Sequence, residues 1–179
     1  LNLDDGELGR LANGFSSITI GDAAAGTGAV DVDSSAINDN VTIVGGSITV
    51  TELAAGSNDV TLTARTGSIL DGGDNGTDVT AGAVSFTAAN GNIGATSDGV
   101  SLAATSLTTN TSAANGDQFL RETGSLDWNS STAGSGTVNL DGGTFRIPAG
   151  QTITGNVAVN NSATLEGVGT VSSDVTVNA

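Results

Sequence analysis

The sequence predicts an all-β chain folded as a single-stranded parallel β-helix, a β-solenoid of roughly eight coils, over the whole of residues 1–179. Three observations point to it. The first is an internal repeat. Val60-Thr61-Leu62-Thr63-Ala64 returns as Val84-Ser85-Phe86-Thr87-Ala88, and Gly67-Ser68-Ile69 returns as Gly91-Asn92-Ile93. Each match is displaced by about 24 residues, a period typical of stacked repeats. A unit of that size cannot bury its own apolar face and must lie on a neighbour. The second is strand texture, with alternating segments of about 3 to 6 residues recurring every 8 to 12 or so. The third is composition. Aromatics are 3% of the chain, so large rings cannot build the core, and Val, Ile, Leu and Ala alternate with Thr, Ser, Asn and Asp. An immunoglobulin-like sandwich or a closed antiparallel barrel would need longer, evenly spaced strands.

The elements follow in order. Leu3 to Leu8 lead to a turn at Asn13-Gly14, with a loop or single turn expected near Leu8 and Leu11. Phe15 to Ile20 alternates and stops at Gly21. Val30 and Val32 point inward, with Asp31 and Asp33 outward. Val41-Thr42-Ile43 and Ile48-Thr49-Val50 flank Gly45-Gly46, and Leu53 to Gly56 makes a small corner. The repeat itself reads as two short strands joined by a Gly or Asn turn. Val100 to Ala104 resembles Val84 to Ala88 at the shorter offset of 16, and Thr111 to Arg121 is irregular. From Gly136 the texture becomes a run of small strands broken at Pro148, a residue that belongs at a corner. Asn-Gly at 13–14, 75–76, 90–91 and 115–116 is expected to supply positive-φ bends.

Charge bounds the partners. Four basic residues, all Arg, face 19 acidic ones, for a net charge of −15. Such a surface offers little to neutralise phosphates, so nucleic acid and anionic membranes are poor partners. It suits divalent cations or a basic partner. No run is long and apolar enough for a membrane helix, and no membrane insertion is expected. The chain begins in mid-pattern and is expected to be a segment of a longer protein.

Candidate sites are few. Asp71, Asp74 and Asp78, spaced by Gly and Asn, could hold calcium. The same loop reads more readily as a solvated turn, because its glycines miss the register of tandem calcium repeats and it occurs once. Asp4, Asp5 and Glu7 form a second acidic cluster. With no His or Cys, no zinc or iron constellation exists. Asp31 and Asp33 could pair for glycoside hydrolysis, but without Lys or His the expectation is that the chain is not an enzyme and has no catalytic residues. Trp128 with Phe119 could form an exposed carbohydrate platform, or the Trp could cover a core end. Thr49-Val50-Thr51, Thr61-Leu62-Thr63 and Thr152-Ile153-Thr154 suggest a flat ice-binding face. That face needs many triplets at one period, and their uneven spacing reads as ordinary strand Thr.

The stretches VTLTARTGSILDGG and VSFTAANGNIGA resemble coils of filamentous-haemagglutinin-like exoproteins, as does the opening with Glu7-Leu8 and Phe15 to Gly21. Thr152 to Val177 resembles autotransporter passenger coils. Residues 1–135 thus resemble the first group and 136–179 the second. The resemblance implies a right-handed β-helix, export across a bacterial envelope, and an extracellular or outer-surface place. It implies a role as rigid stalk and adhesin whose partners are neighbouring coils and, on host or bacterial surfaces, glycans or proteins. A self-assembling surface-layer or filament subunit is the alternative, ahead of a calcium-dependent carbohydrate-binding module.

Overall fold

Alternation of aliphatic and polar residues makes each short segment a strand with one dry face, and the backbone hydrogen bonds of one turn are completed by the next. A computed structural model describes residues 1–11, 13–35 and 37–178. These form one helical turn, Asp5–Leu8, and sixteen strands. In chain order the strands are β1 (Asn2–Asp4), β2 (Ile18–Ile20), β3 (Val30–Ser34), β4 (Val41–Gly45), β5 (Ile48–Ala54), β6 (Val60–Ala64), β7 (Ile69–Asp71) and β8 (Val79–Ala88). They continue as β9 (Val100–Asn110), β10 (Gln118–Glu122), β11 (Ser125–Asp141), β12 (Thr144–Ile147), β13 (Thr152–Asn160), β14 (Thr164–Gly167), β15 (Thr170–Val171) and β16 (Val175–Val177). Every pairing between these strands is parallel. The chain is a β-solenoid, and the stack runs through the change of texture at residue 136, which falls inside β11.

Each full coil contributes to three ladders, one more strand than the sequence repeat suggested. The first carries an inward column of Val30, Ile48, Ile69, Ile93, Gln118, Val138, Val157 and Val175. The steps along this column are unequal. They lengthen from Val30 to Gln118 and shorten again towards Val175, and together they make about eight turns. The second ladder passes through Ser34, Leu53, Val79, Leu102 and Glu122. The third carries Ile20, Ile43, Leu62, Phe86, Thr109, Ser131, Ile153 and Val171. Most of these side chains are fully buried, and each aliphatic one stabilises the fold by about 1.5–3 kcal/mol relative to exposure.

The internal repeat is confirmed where it was read: Val60 lies on Val84, Leu62 on Phe86 and Ile69 on Ile93. The shorter offset from Val84 to Val100 is not. Leu102 lies on Val79 and Leu107 on Val84, so this coil is almost as long as the one before it. Both pairs of segments carry the same alternating pattern, and the loop between them hides the register. The Asn-Gly reading also needs correction. Among the described residues of the four pairs, only Gly14 and Asn115 take a positive φ. Gly116 is required for another reason, since a Cβ there would lie 2.0 Å from the carbonyl oxygen of Gly91 in the coil beneath.

The interior holds a polar patch. Thr109 Oγ1 and Ser131 Oγ lie 2.6 and 3.0 Å from Gln118 Oε1, and Gln118 Nε2 donates to Thr111 Oγ1 at 3.1 Å. All four residues are buried.

Outside, the third ladder is a hydroxyl array. One outward column runs Thr19, Thr42, Thr61, Ser85, Thr108, Ser130, Thr152 and Thr170. The column two residues further on runs Val44, Thr63, Thr87, Asn110, Thr132 and Thr154. Two of the three Thr-x-Thr triplets therefore share one face, while Thr49 belongs to the first ladder. Their uneven spacing in sequence comes from loop length.

Candidate functional site

The loop between β7 and β8 folds on its own carboxylates. Asp71 Oδ1 accepts from the Gly73 N–H at 2.7 Å, and Asp74 Oδ1 accepts from the Gly76 N–H at 2.8 Å. These are Asx turns, the local structure that Asp before Gly favours. Asp78 closes the loop from inside. It is fully buried. Its N–H donates to the Ser101 carbonyl at 3.0 Å, and its Oδ2 accepts from the Ser101 N–H at 2.5 Å. Its Oδ1 has no partner among the described residues.

The three carboxylates that the sequence singled out converge, with one oxygen from each lying within 4.8 Å of the others. The electrostatic consequence is visible in their protonation. Burial pushes the Asp78 carboxyl up to about 7, reinforced by Asp71 and Asp74 and opposed by the Ser101 N–H. Asp71 is also raised, first by burial and then by Asp98 and Asp74, against the Gly73 N–H. Hard oxygen donors with excess negative charge suit Ca²⁺, which takes about 6–8 oxygens and can draw the remainder from carbonyls and water.

Asp71 and Asp74 also line a groove of about 390 Å³ that crosses successive coils, past Asp98, Phe119, Arg121, Asn139 and Asn160. Phe119 is half-buried and sits in register with Asn139 of β11. Arg121 approaches Asp141 at 3.9 Å, and Asn178 Nδ2 donates to Asn160 Oδ1 at 2.6 Å. This lining mixes donors and acceptors around a single aromatic ring.

Trp128 is not part of the groove's lining. It stacks on Leu107 in the core, fully buried, with its ring edge-on to Phe145 at 5.9 Å and 66°. A large ring in a chain this poor in aromatics fills the interior where the coil is broad, and it cannot also present a face to a sugar. The Trp128–Phe119 platform therefore reduces to Phe119.

The second acidic cluster is occupied by structure. Asp4 caps the helical turn through the Gly6 and Glu7 N–H groups, and Glu7 reaches back to the Asp4 N–H. Asp5 accepts from Ser34 and Ser35. Both carboxyls are held below their ordinary value, Asp4 chiefly by Glu7 and Gly6, Asp5 by Ser35 and Ser34. Asp31 and Asp33 are simply exposed on β3.

Sequence reading missed the groove's polar row and the buried Glu122. Asp141 lies beside Asn160 in stacked strands, and Asn178 follows in the next coil. Aligning this part of the chain at its own shorter period, rather than at that of the central repeat, would have exposed the row. No family model, curated protein or solved structure matches the chain.

Proposed function

We propose that the chain is a rigid rod segment of an exported or surface-displayed bacterial β-helix protein, and that its groove binds a surface carbohydrate beside a calcium ion. The observation that carries this reading is the coincidence of two features on one side of the rod. Asp71 and Asp74 belong both to the three-carboxylate cluster and to the wall of the groove. Calcium held by Asp71, Asp74 and Asp78 would relieve their mutual repulsion and fix the β7–β8 loop as the end of the trough. Sugar hydroxyls would exchange hydrogen bonds with Asn139, Asp141 and Arg121, while the C–H face of a ring packs on Phe119. Single contacts of this kind are weak, and an adhesin of many coils would gain by avidity.

The test is titration of the 179-residue chain against a glycan panel, with calcium and with chelator. Saturable binding that is lost with chelator and on Asp78→Asn supports the reading. A folded, β-rich sample that binds nothing in either condition would leave a spacer, and concentration-dependent end-to-end assembly would favour the filament or surface-layer scaffold.

A further inference from the structure

The outer face of the third ladder has three properties that ordinary solvent-facing strands do not combine. It is periodic in two dimensions. Parallel strands place its rungs about 4.8 Å apart, and alternate residues of one strand stand about 6.6 Å apart. The outer column from Thr19 to Thr170 carries a hydroxyl at every rung, and five consecutive rungs from β6 to β13 carry a second polar group beside it. Only the step between Trp128 and Ser130 interrupts the register of that run.

The face is also uncharged. In a chain with 19 acidic residues and a net charge of −15, neither column contains a charged side chain. Four of the charges at its borders are held by hydrogen bonds. Asp59 Oδ1 accepts from the Ala83 N–H at 3.0 Å, Arg146 Nε donates to Asp127 at 2.6 Å, and Arg65 donates to the carbonyls of Ala23 and Ala24.

Finally, the hydroxyls are free. Those of Thr105, Thr109, Thr111 and Thr123 are bonded within the chain. Among the described residues, none of the Thr or Ser hydroxyls in the two columns donates to a partner. The array is exposed or half-exposed throughout, apart from Val44 at its start.

A neutral, repeating lattice of hydrogen-bonding groups whose rung spacing lies close to one oxygen repeat of hexagonal ice offers that crystal a periodic partner. β-Branched Thr is stiff at χ1, so its hydroxyl and methyl keep the spacing of the backbone beneath. An ion-bearing face would hold its own hydration shell against the crystal. We infer that this face binds the surface of ice, with the hydroxyl rungs held in register by the solenoid and the Thr methyls lying between them. The inference is independent of the carbohydrate reading, which uses the first ladder.

The experiment is thermal hysteresis and ice-crystal shape of the 179-residue chain, beside a non-binding protein at equal concentration. The wild-type chain is expected to open a freezing–melting gap and to facet the crystal. Thr87→Tyr and Thr132→Tyr, in the middle of the array, are expected to reduce the gap to the control level. Thr49→Tyr, on the first ladder, should leave it unchanged, with circular dichroism reporting the fold of each variant. A folded wild-type chain with no gap and no faceting overturns the inference. So does a gap that Thr49→Tyr lowers as much as Thr87→Tyr. Self-association that the array variants abolish, without hysteresis, would also overturn it and make the face a contact between copies.

Discussion

Trp128 shows how a residue's type can leave its place open between surface and core. Its isolation in the sequence allowed a surface platform, and only the register of β11 puts it on Leu107 and against Phe145. Trp128→Ala is expected to cost about 3–5 kcal/mol in urea unfolding. The wild-type emission should be blue-shifted and indifferent to any glycan that binds the groove. The buried carboxylates make a second claim at this scale. Asp78 and Glu122 are both pushed up to about 7, chiefly by burial, from 3.8 and 4.5. Folded protein therefore holds these two protons over a range in which unfolded chain has released them. Their contribution to stability is complete below about pH 4 and is lost as the pH rises through about 7. The melting temperature should be higher at pH 5 than at pH 8, by roughly 10 °C, and Asp78→Asn with Glu122→Gln should flatten the dependence. Asp4 and Asp5, being lowered, titrate below this window. Calcium at pH 8 should raise the melting temperature of the wild type and not that of Asp78→Asn.

At the scale of the element, strands were legible and their stacking was not. Alternation alone places Val30 and Val32 inward and Asp31 and Asp33 outward, as observed. It is silent on which strand lies beneath which, because any alternating segment fits any other. The loops decide that, and they vary enough to make the coil from Ile93 to Gln118 clearly longer than the one from Val30 to Ile48. The same blindness led Val100 to be matched to Val84, hid the polar row from Asp141 to Asn178, and made the Thr triplets look irregular. The acidic loop was legible because its three Asp residues are close in sequence. The burial of Asp78 was not, because it depends on Ser101 in the next coil. Bends follow the same logic. Gly116 sits where the coil beneath comes closest, so Gly116→Ala is expected to destabilise by about 1–3 kcal/mol, measured by urea unfolding, although its φ would tolerate alanine.

For the whole molecule, stability should behave as a sum over neighbouring turns. Deleting residues 60–83 removes one register-matched turn and sets Val84 where Val60 lay, on Val41. The shortened chain is expected to stay β-rich by circular dichroism, with the urea m-value reduced by roughly one eighth. Its calcium response should vanish with the loop. Such modularity brings a hazard: when every rung looks like the last, a strand can settle one place early and still find aliphatic company. The Gln118 patch answers it. One place lower, that amide would lie between Phe86 and Thr109, and one place higher between Ser131 and Ile153. Either error strands a buried polar group. The patch therefore works as an index mark on an otherwise unnumbered ruler, giving the folding chain one position from which all the others are counted.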